Sequence, residues 1–147
     1  QVAQLVHIVN DRIVCGYDDF CVGYKLIKVL PNRLYGLQKR KINNEEVVFP
    51  EKERAMIDVF EFYNVNRAFN VLRSQMNNLD IDVLSKYVAQ YPVQSIRRRI
   101  GYFLDQLSIN ENILNKIDVG EKGYSPLCYG RSNKGKINKR WRLIING

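Results

Sequence analysis

At Pro50 the hydrophobic pattern of this chain changes period, and that change restricts the fold more than any other feature. Upstream of it, "AQLVHIV", "RIVCGY", "FCVGYKLIKVL" and "RLYGLQK" are short runs rich in Val, Ile, Tyr and Phe, broken by "ND", "DD" and "PN". β-prone runs between turn formers read as strands joined by tight turns. "EEVVF" adds another before Pro50 stops it. Downstream, Met56, Val59, Phe60 and Tyr63 recur at the i, i+3, i+4, i+7 spacing of one helix face, with acidic residues in the first turn where the helix dipole favours them. The spacing predicts a helix from about 50, then others at about 66–76, about 80–90 with Asp80 as N-cap, and about 93–107 after Pro92. "NENILNKI" reads as a fifth. Beyond Val119 the chain is loop by composition until "RWRLIIN", where Trp141, Leu143 and Ile145 alternate with Arg140, Arg142 and Ile144 as in a strand with its aromatic face on the core. The expected fold is therefore α+β: a small, mostly antiparallel N-terminal sheet, a cluster of four to five helices and a final C-terminal strand, in a single domain over residues 1–147.

A chain of 147 residues is long enough for one real core. No apolar run approaches the roughly 20 residues of a membrane span. The three cysteines, Cys15, Cys21 and Cys128, are odd in number and include no CxxC pair, which argues against a disulfide framework or a zinc knuckle and for a reducing cytoplasm. The start "QVAQLVHIV" has no basic flank, no signal-peptide pattern and no initiating Met, so the chain is expected to come from a longer one. Of the net charge of +8, most lies in residues 118–147, which carry 7 Lys and Arg against 2 Asp and Glu. Such an excess concentrates polyanions or acidic protein surfaces around it.

"QSIRRRIGYFLDQL" carries three consecutive arginines on an amphipathic helix. At about 100° per residue, Ile96, Ile100, Phe103, Leu104 and Leu107 share one stripe. Arg97 and Arg99 flank it and Arg98 points away from it. Adjacent arginines therefore fan out and cannot line one phosphate track; a core helix is expected, with border arginines laying their methylenes over apolar neighbours and keeping their heads wet. The alternative is a self-sufficient nucleic-acid binder, with a helix-turn-helix at about 80–107 whose readers would be Gln94, Ser95, Arg97 and Arg98. A basic surface, for nucleic acid or an acidic partner, is expected at Lys134, Lys136, Lys139, Arg140 and Arg142, the two arginines sharing the outer face of the last strand.

Catalytic constellations do not emerge. "GRSNKGK" at 130–136 fits GxxxxGK, but Ile137 stands where magnesium needs a Ser or Thr, and too little chain follows for the required helix. Glu53 and Asp58, five apart on a helix, cannot share a metal or a proton; Arg54, four before Asp58, suggests a surface ion network. His7 is alone in a strand-like run. No catalytic residue, metal site or cofactor is expected, and the inventory points away from an enzyme.

Taken together, "EKERAMIDVF", "LDIDVLSKYVAQY", "IRRRIGYFLDQL" and "RWRLIIN" resemble the C-terminal domain of AbiEi-type antitoxins and related transcriptional regulators. The resemblance spans roughly 45–146 and rests on an E-x-A-x-x-D helix (Glu53, Ala55, Asp58), an RR-aliphatic-GY-x-L helix (Arg98, Arg99, Ile100, Gly101, Tyr102, Leu104) and an Arg-Trp strand ending in Asn (Arg140, Trp141, Asn146). It implies an N-terminal winged helix that binds the promoter DNA, not visible in these residues, and a domain that opposes a nucleotidyltransferase toxin. It also gives Gly101 a role, the close approach of another element, framed by the arginines.

Overall fold

The computed structural model describes residues 6–12 and 24–147. Their contacts fall into two compact units, Gln1–Tyr35 and Gly36–Gly147. In the first, β1 (Val6–Asn10) pairs in parallel with β2 (Tyr24–Lys28), and the pairing continues through Val29 N–H to the Asn10 carbonyl at 2.8 Å. Parallel strands need a crossover rather than a tight turn; residues 11–23 lie between them. The strand read at "RIVCGY", together with Cys15 and Cys21, falls outside the described residues.

The second unit has the α+β architecture expected. β3 (Leu37–Ile42) and β4 (Glu45–Pro50) form an antiparallel hairpin in the register Ile42 opposite Glu45 to Leu37 opposite Pro50. Its two-residue turn, Asn43 and Asn44, takes φ of 50° and 67°, the left-handed pair that matches strand twist. The run "RLYGLQK" is divided: a 3-10 turn occupies Pro31–Arg33, and β3 begins only after Gly36. Gly36 has φ of +61°, and a Cβ there would stand 2.9 Å from the Tyr87 ring.

The helices are α1 (Lys52–Phe62), α2 (Val65–Gln75), α3 (Ile81–Gln90), α4 (Gln94–Gln106) and the single turn α5 (Glu111–Leu114). Local chemistry explains their starts. Asn64 accepts from Arg67 N–H and Asp80 from Val83 N–H, each capping an otherwise unpaired first-turn amide. The core collects Ile57, Phe60, Leu72, Leu84, Val88, Ile100 and Leu104, with the Phe103 ring stacked on Phe69 at 4.3 Å.

The glycine-rich tail holds more structure than its composition suggests. β5 (Ser125–Pro126) runs parallel to β7 (Leu143–Ile145), and β6 (Lys136–Asn138) antiparallel to it. Gly135 permits this, since a Cβ there would meet the Ile145 carbonyl oxygen at 2.1 Å. The GxxxxGK lysine, Lys136, thus opens a strand, not a phosphate-binding helix. Among the described residues no helix is long and apolar enough to cross a membrane.

Candidate functional site

The arginine helix is the organising element of the second unit, but not in the way its periodicity implies. Arg97 donates through Nε to the Asp118 carbonyl at 2.8 Å and through Nη1 to the Tyr91 carbonyl at 2.6 Å. Arg98 donates to the carbonyls of Val119 (2.8 Å) and Lys122 (2.9 Å) and to Ser125 Oγ (3.0 Å). Arg99 donates to the carbonyls of Leu127 (3.0 Å) and Pro126 (2.8 Å). Three consecutive residues therefore hold one continuous segment, 118–127, in order along its length.

This corrects the expectation of wet guanidinium heads: Arg98 and Arg99 are each only 2% exposed. The radial spread was right, and its consequence is different. The face opposite the apolar stripe, where Arg98 points, is covered by an irregular segment that carries no hydrophobic period, so α4 is enclosed almost all round. Burial, reinforced by Arg142 and Arg97 nearby, lowers the Arg98 pKa from its ordinary value. Its bonds to carbonyls satisfy acceptors that a buried loop would otherwise leave unpaired.

The same geometry engages the residues named as readers in the helix-turn-helix alternative. Ser95 hydrogen-bonds the Tyr129 hydroxyl at 2.9 Å, a Cβ on Gly120 would collide with the Gln94 amide, and Arg97 and Arg98 hold the 118–125 segment. Each of the four contacts protein; Arg98 is buried, while Gln94, Ser95 and Arg97 are half-buried.

The remaining predicted residues divide. Arg140 and Arg142 precede β7 in a turn rather than sharing a strand face, and Arg142 has φ of 49°. Arg140 forms a fork to Glu111 at 2.9 and 2.6 Å and lies 3.4 Å from Asp105; Arg142 donates to the Gly123 carbonyl at 3.0 Å and lies over the Tyr124 ring. Lys134, Lys136 and Lys139 are exposed and form no ion pair with any described residue. The three lysines are the part of the predicted basic surface that stays available.

The hydrogen bond from Arg140 holds the Glu111 carboxyl below its ordinary value of 4.5. Because the folded pKa is depressed, the stability this contact contributes is present above pH 4.5 and is lost as pH falls through the depressed value. Thermal midpoints of the wild type and Arg140→Gln should therefore converge on acidification. An offset independent of pH would contradict the pairing.

The motif residues assemble around Gly101. The Trp141 ring lies where a Gly101 Cβ would be, 2.0 Å from its Cζ3, and donates through Nε1 to Asp105 at 2.7 Å. Asn146 clamps the tail, accepting from Cys128 N–H at 2.8 Å and donating to the carbonyls of Cys128 and Ser132. Glu53, 4% exposed, accepts from Asp80 N–H at 2.8 Å and so ties α1 to the start of α3, while Arg54 reaches Asp58 at 2.7 Å from a buried position. The ion pair expected on the surface thus has a buried cation, with its carboxylate, Asp58, 23% exposed.

Beside these contacts is a cleft of about 470 Å³. One wall comes from the α1–α2 junction, with Tyr63, Asn64 and Asn66; the other from Arg99, Tyr129 and Arg131. The Arg99 guanidinium carbon stands 3.9 Å from the centre of the Tyr129 ring. Partial burial works to raise the Tyr129 pKa, but the Ser95 hydrogen bond and Arg99 outweigh it, leaving the hydroxyl below its ordinary value. No sequence motif marks this cleft: "LCYGRS" is loop by composition, and the facing wall lies far upstream. An aromatic residue inside a basic, glycine-containing loop was the available sign.

No family model, curated protein or solved structure matches the chain. Among the described residues no three His, Cys, Asp or Glu side chains gather where a metal could bind. The side chains of the second unit offer internal cationic clamps, an aromatic-lined cleft and a lysine-bearing loop.

Proposed function

We propose that the chain is a non-catalytic interaction and regulatory domain of an antitoxin-like transcriptional regulator, one that opposes a nucleotidyltransferase-type toxin and acts in control of its promoter. The observation that carries this reading is the use made of the motif residues. Arg98, Arg99, Gly101, Trp141 and Asn146 build a rigid scaffold, and the cations left over, Lys134, Lys136 and Lys139, stand on one exposed stretch at its surface. A scaffold that uses its arginines as internal clamps and leaves three lysines on one exposed stretch suits docking against an acidic protein face. In this reading promoter DNA belongs to a winged helix N-terminal to this domain, and the domain needs no cofactor.

The test pairs the chain with a nucleotidyltransferase encoded beside its gene. The expected result is a stable complex and relief of that enzyme's toxicity, with Lys134→Glu, Lys136→Glu and Lys139→Glu together slowing association on the order of tenfold at low salt. A neighbouring nucleotidyltransferase that neither binds nor is restrained, or a parent gene without such a neighbour, overturns the antitoxin reading.

A further inference from the structure

The cleft beside Arg99 serves no purpose in that scaffold, and one exposed member of it is held in an unusual way. Tyr129 is 67% exposed, yet its ring is fixed twice: the hydroxyl to Ser95 Oγ at 2.9 Å, and one face over the guanidinium of buried Arg99. Arg99 is itself anchored by the carbonyls of Pro126 and Leu127. An exposed aromatic normally samples several rotamers, and holding it in one costs conformational entropy. Here the ring is pre-set, and it lines a cleft of about 470 Å³, within the range of small-ligand sites.

Around it stand amide and cationic groups, with one carboxylate, Glu61, also lining the cleft. On the opposite wall Asn66 brings a side-chain amide, which both donates and accepts, as the edge of a nucleobase requires, and Asn64, whose oxygen caps α2, keeps its NH2 donors. Arg131 stands at the rim, and the same loop continues to Lys134, tied down by Asn146 at Ser132. A stacking platform beside a cationic track is the arrangement that binds unpaired nucleotides without reading a duplex. We infer that this cleft binds an unpaired nucleotide of a single-stranded nucleic acid, its base stacked on Tyr129 and its phosphates on Arg131 and Lys134. The inference does not rest on the antitoxin reading and stands or falls separately from it.

Fluorescence anisotropy of the full chain with a labelled hexanucleotide, dT and rU in parallel, tests it at about 50 and about 200 mM salt. Binding should weaken with salt and fall about 5- to 100-fold in Tyr129→Ala, while Tyr129→Phe, which keeps the ring, retains it. Arg131→Ala should weaken binding and flatten the salt dependence. Circular dichroism of each variant checks folding; should Tyr129→Ala unfold, Arg131→Ala decides alone. The free mononucleotides and a blunt duplex separate a nucleotide pocket from a strand site: the strand should bind better than either. The inference is overturned if the hexanucleotides do not bind at low salt, if neither Tyr129→Ala nor Arg131→Ala changes the affinity, if duplex binds equally well, or if a glutamate-rich peptide displaces the oligonucleotide at equal concentration.

Discussion

Arg98→Ala lowers the thermal midpoint by roughly 10 °C and releases the 118–127 segment. The substitution removes three hydrogen bonds from a cation that is 2% exposed, two of them to main-chain carbonyls. Hydrogen bonds to charged groups contribute more than neutral ones, and part of the loss is recovered as the freed carbonyls reach water, so a cost of roughly 3–4 kcal/mol is expected. For a chain of this size that corresponds to about 3 °C per kcal/mol. Arg98→Lys should recover little, because an ammonium cannot reproduce the planar fork that reaches Val119, Lys122 and Ser125 together. Hydrogen exchange localises the effect: amides of 118–127 should lose protection before those of α1 and α3. A midpoint within about 1 °C of wild type would mean that Arg98 is solvated after all, since surface changes of this kind cost at most about 0.5 kcal/mol.

Gly101→Ala should destabilise the fold although alanine is the better helix former. On an open helix surface the change would stabilise by about 1 kcal/mol, so the sign of the effect reports the contact. Here the new Cβ would stand 2.0, 2.5 and 2.6 Å from three atoms of the Trp141 ring. That ring cannot step aside easily: it is 2% exposed, its Nε1 is held by Asp105, and its main-chain N–H by Asn138 at 2.9 Å. Overpacking of this kind costs about 1–3 kcal/mol. Trp141→Ala alone should cost about 3–5 kcal/mol by emptying the site. Combining Gly101→Ala with Trp141→Leu should cost less than the two single changes added together, because the smaller side chain leaves room for the methyl. Additive costs, or a stabilised Gly101→Ala, would show that Trp141 does not rest on this glycine.

How far the fold could be read beforehand follows from which interactions are local. The four main helices start within a few residues of where period and capping place them, because Asn64 and Asp80 act on amides three positions away and Pro92 precedes the start of α4. The partner of Gly101 was legible only as an expectation of close approach; that the partner is Trp141 depends on a fold-back across the whole tail. β5 and β6 show no period because strands of two or three residues have too few positions for one, and the pairing of β6 with β7 depends on Gly135 meeting Ile145.

The candidate site was less legible than the fold. Lys134, Lys136 and Lys139 could be read from composition, since an exposed lysine needs no partner to stay where it is. Arg140 and Arg142 came from the same composition, yet both are engaged, one with Glu111 and Asp105, the other with the Gly123 carbonyl. No local rule distinguishes a cation that solvates from one that finds an acceptor far along the chain.

The sequence by itself determined the class of fold, the helix boundaries and the radial spread of Arg97, Arg98 and Arg99, because each follows from periodicity and capping within a few residues. Tertiary structure alone decided what those arginines do. The 118–127 segment has no hydrophobic period and few side chains to bury, so nothing in it announces where it will lie; its main-chain carbonyls select the position by accepting from a row of guanidinium groups. Main-chain acceptors are the same in every residue, and a sequence therefore does not record which of them a distant arginine will reach.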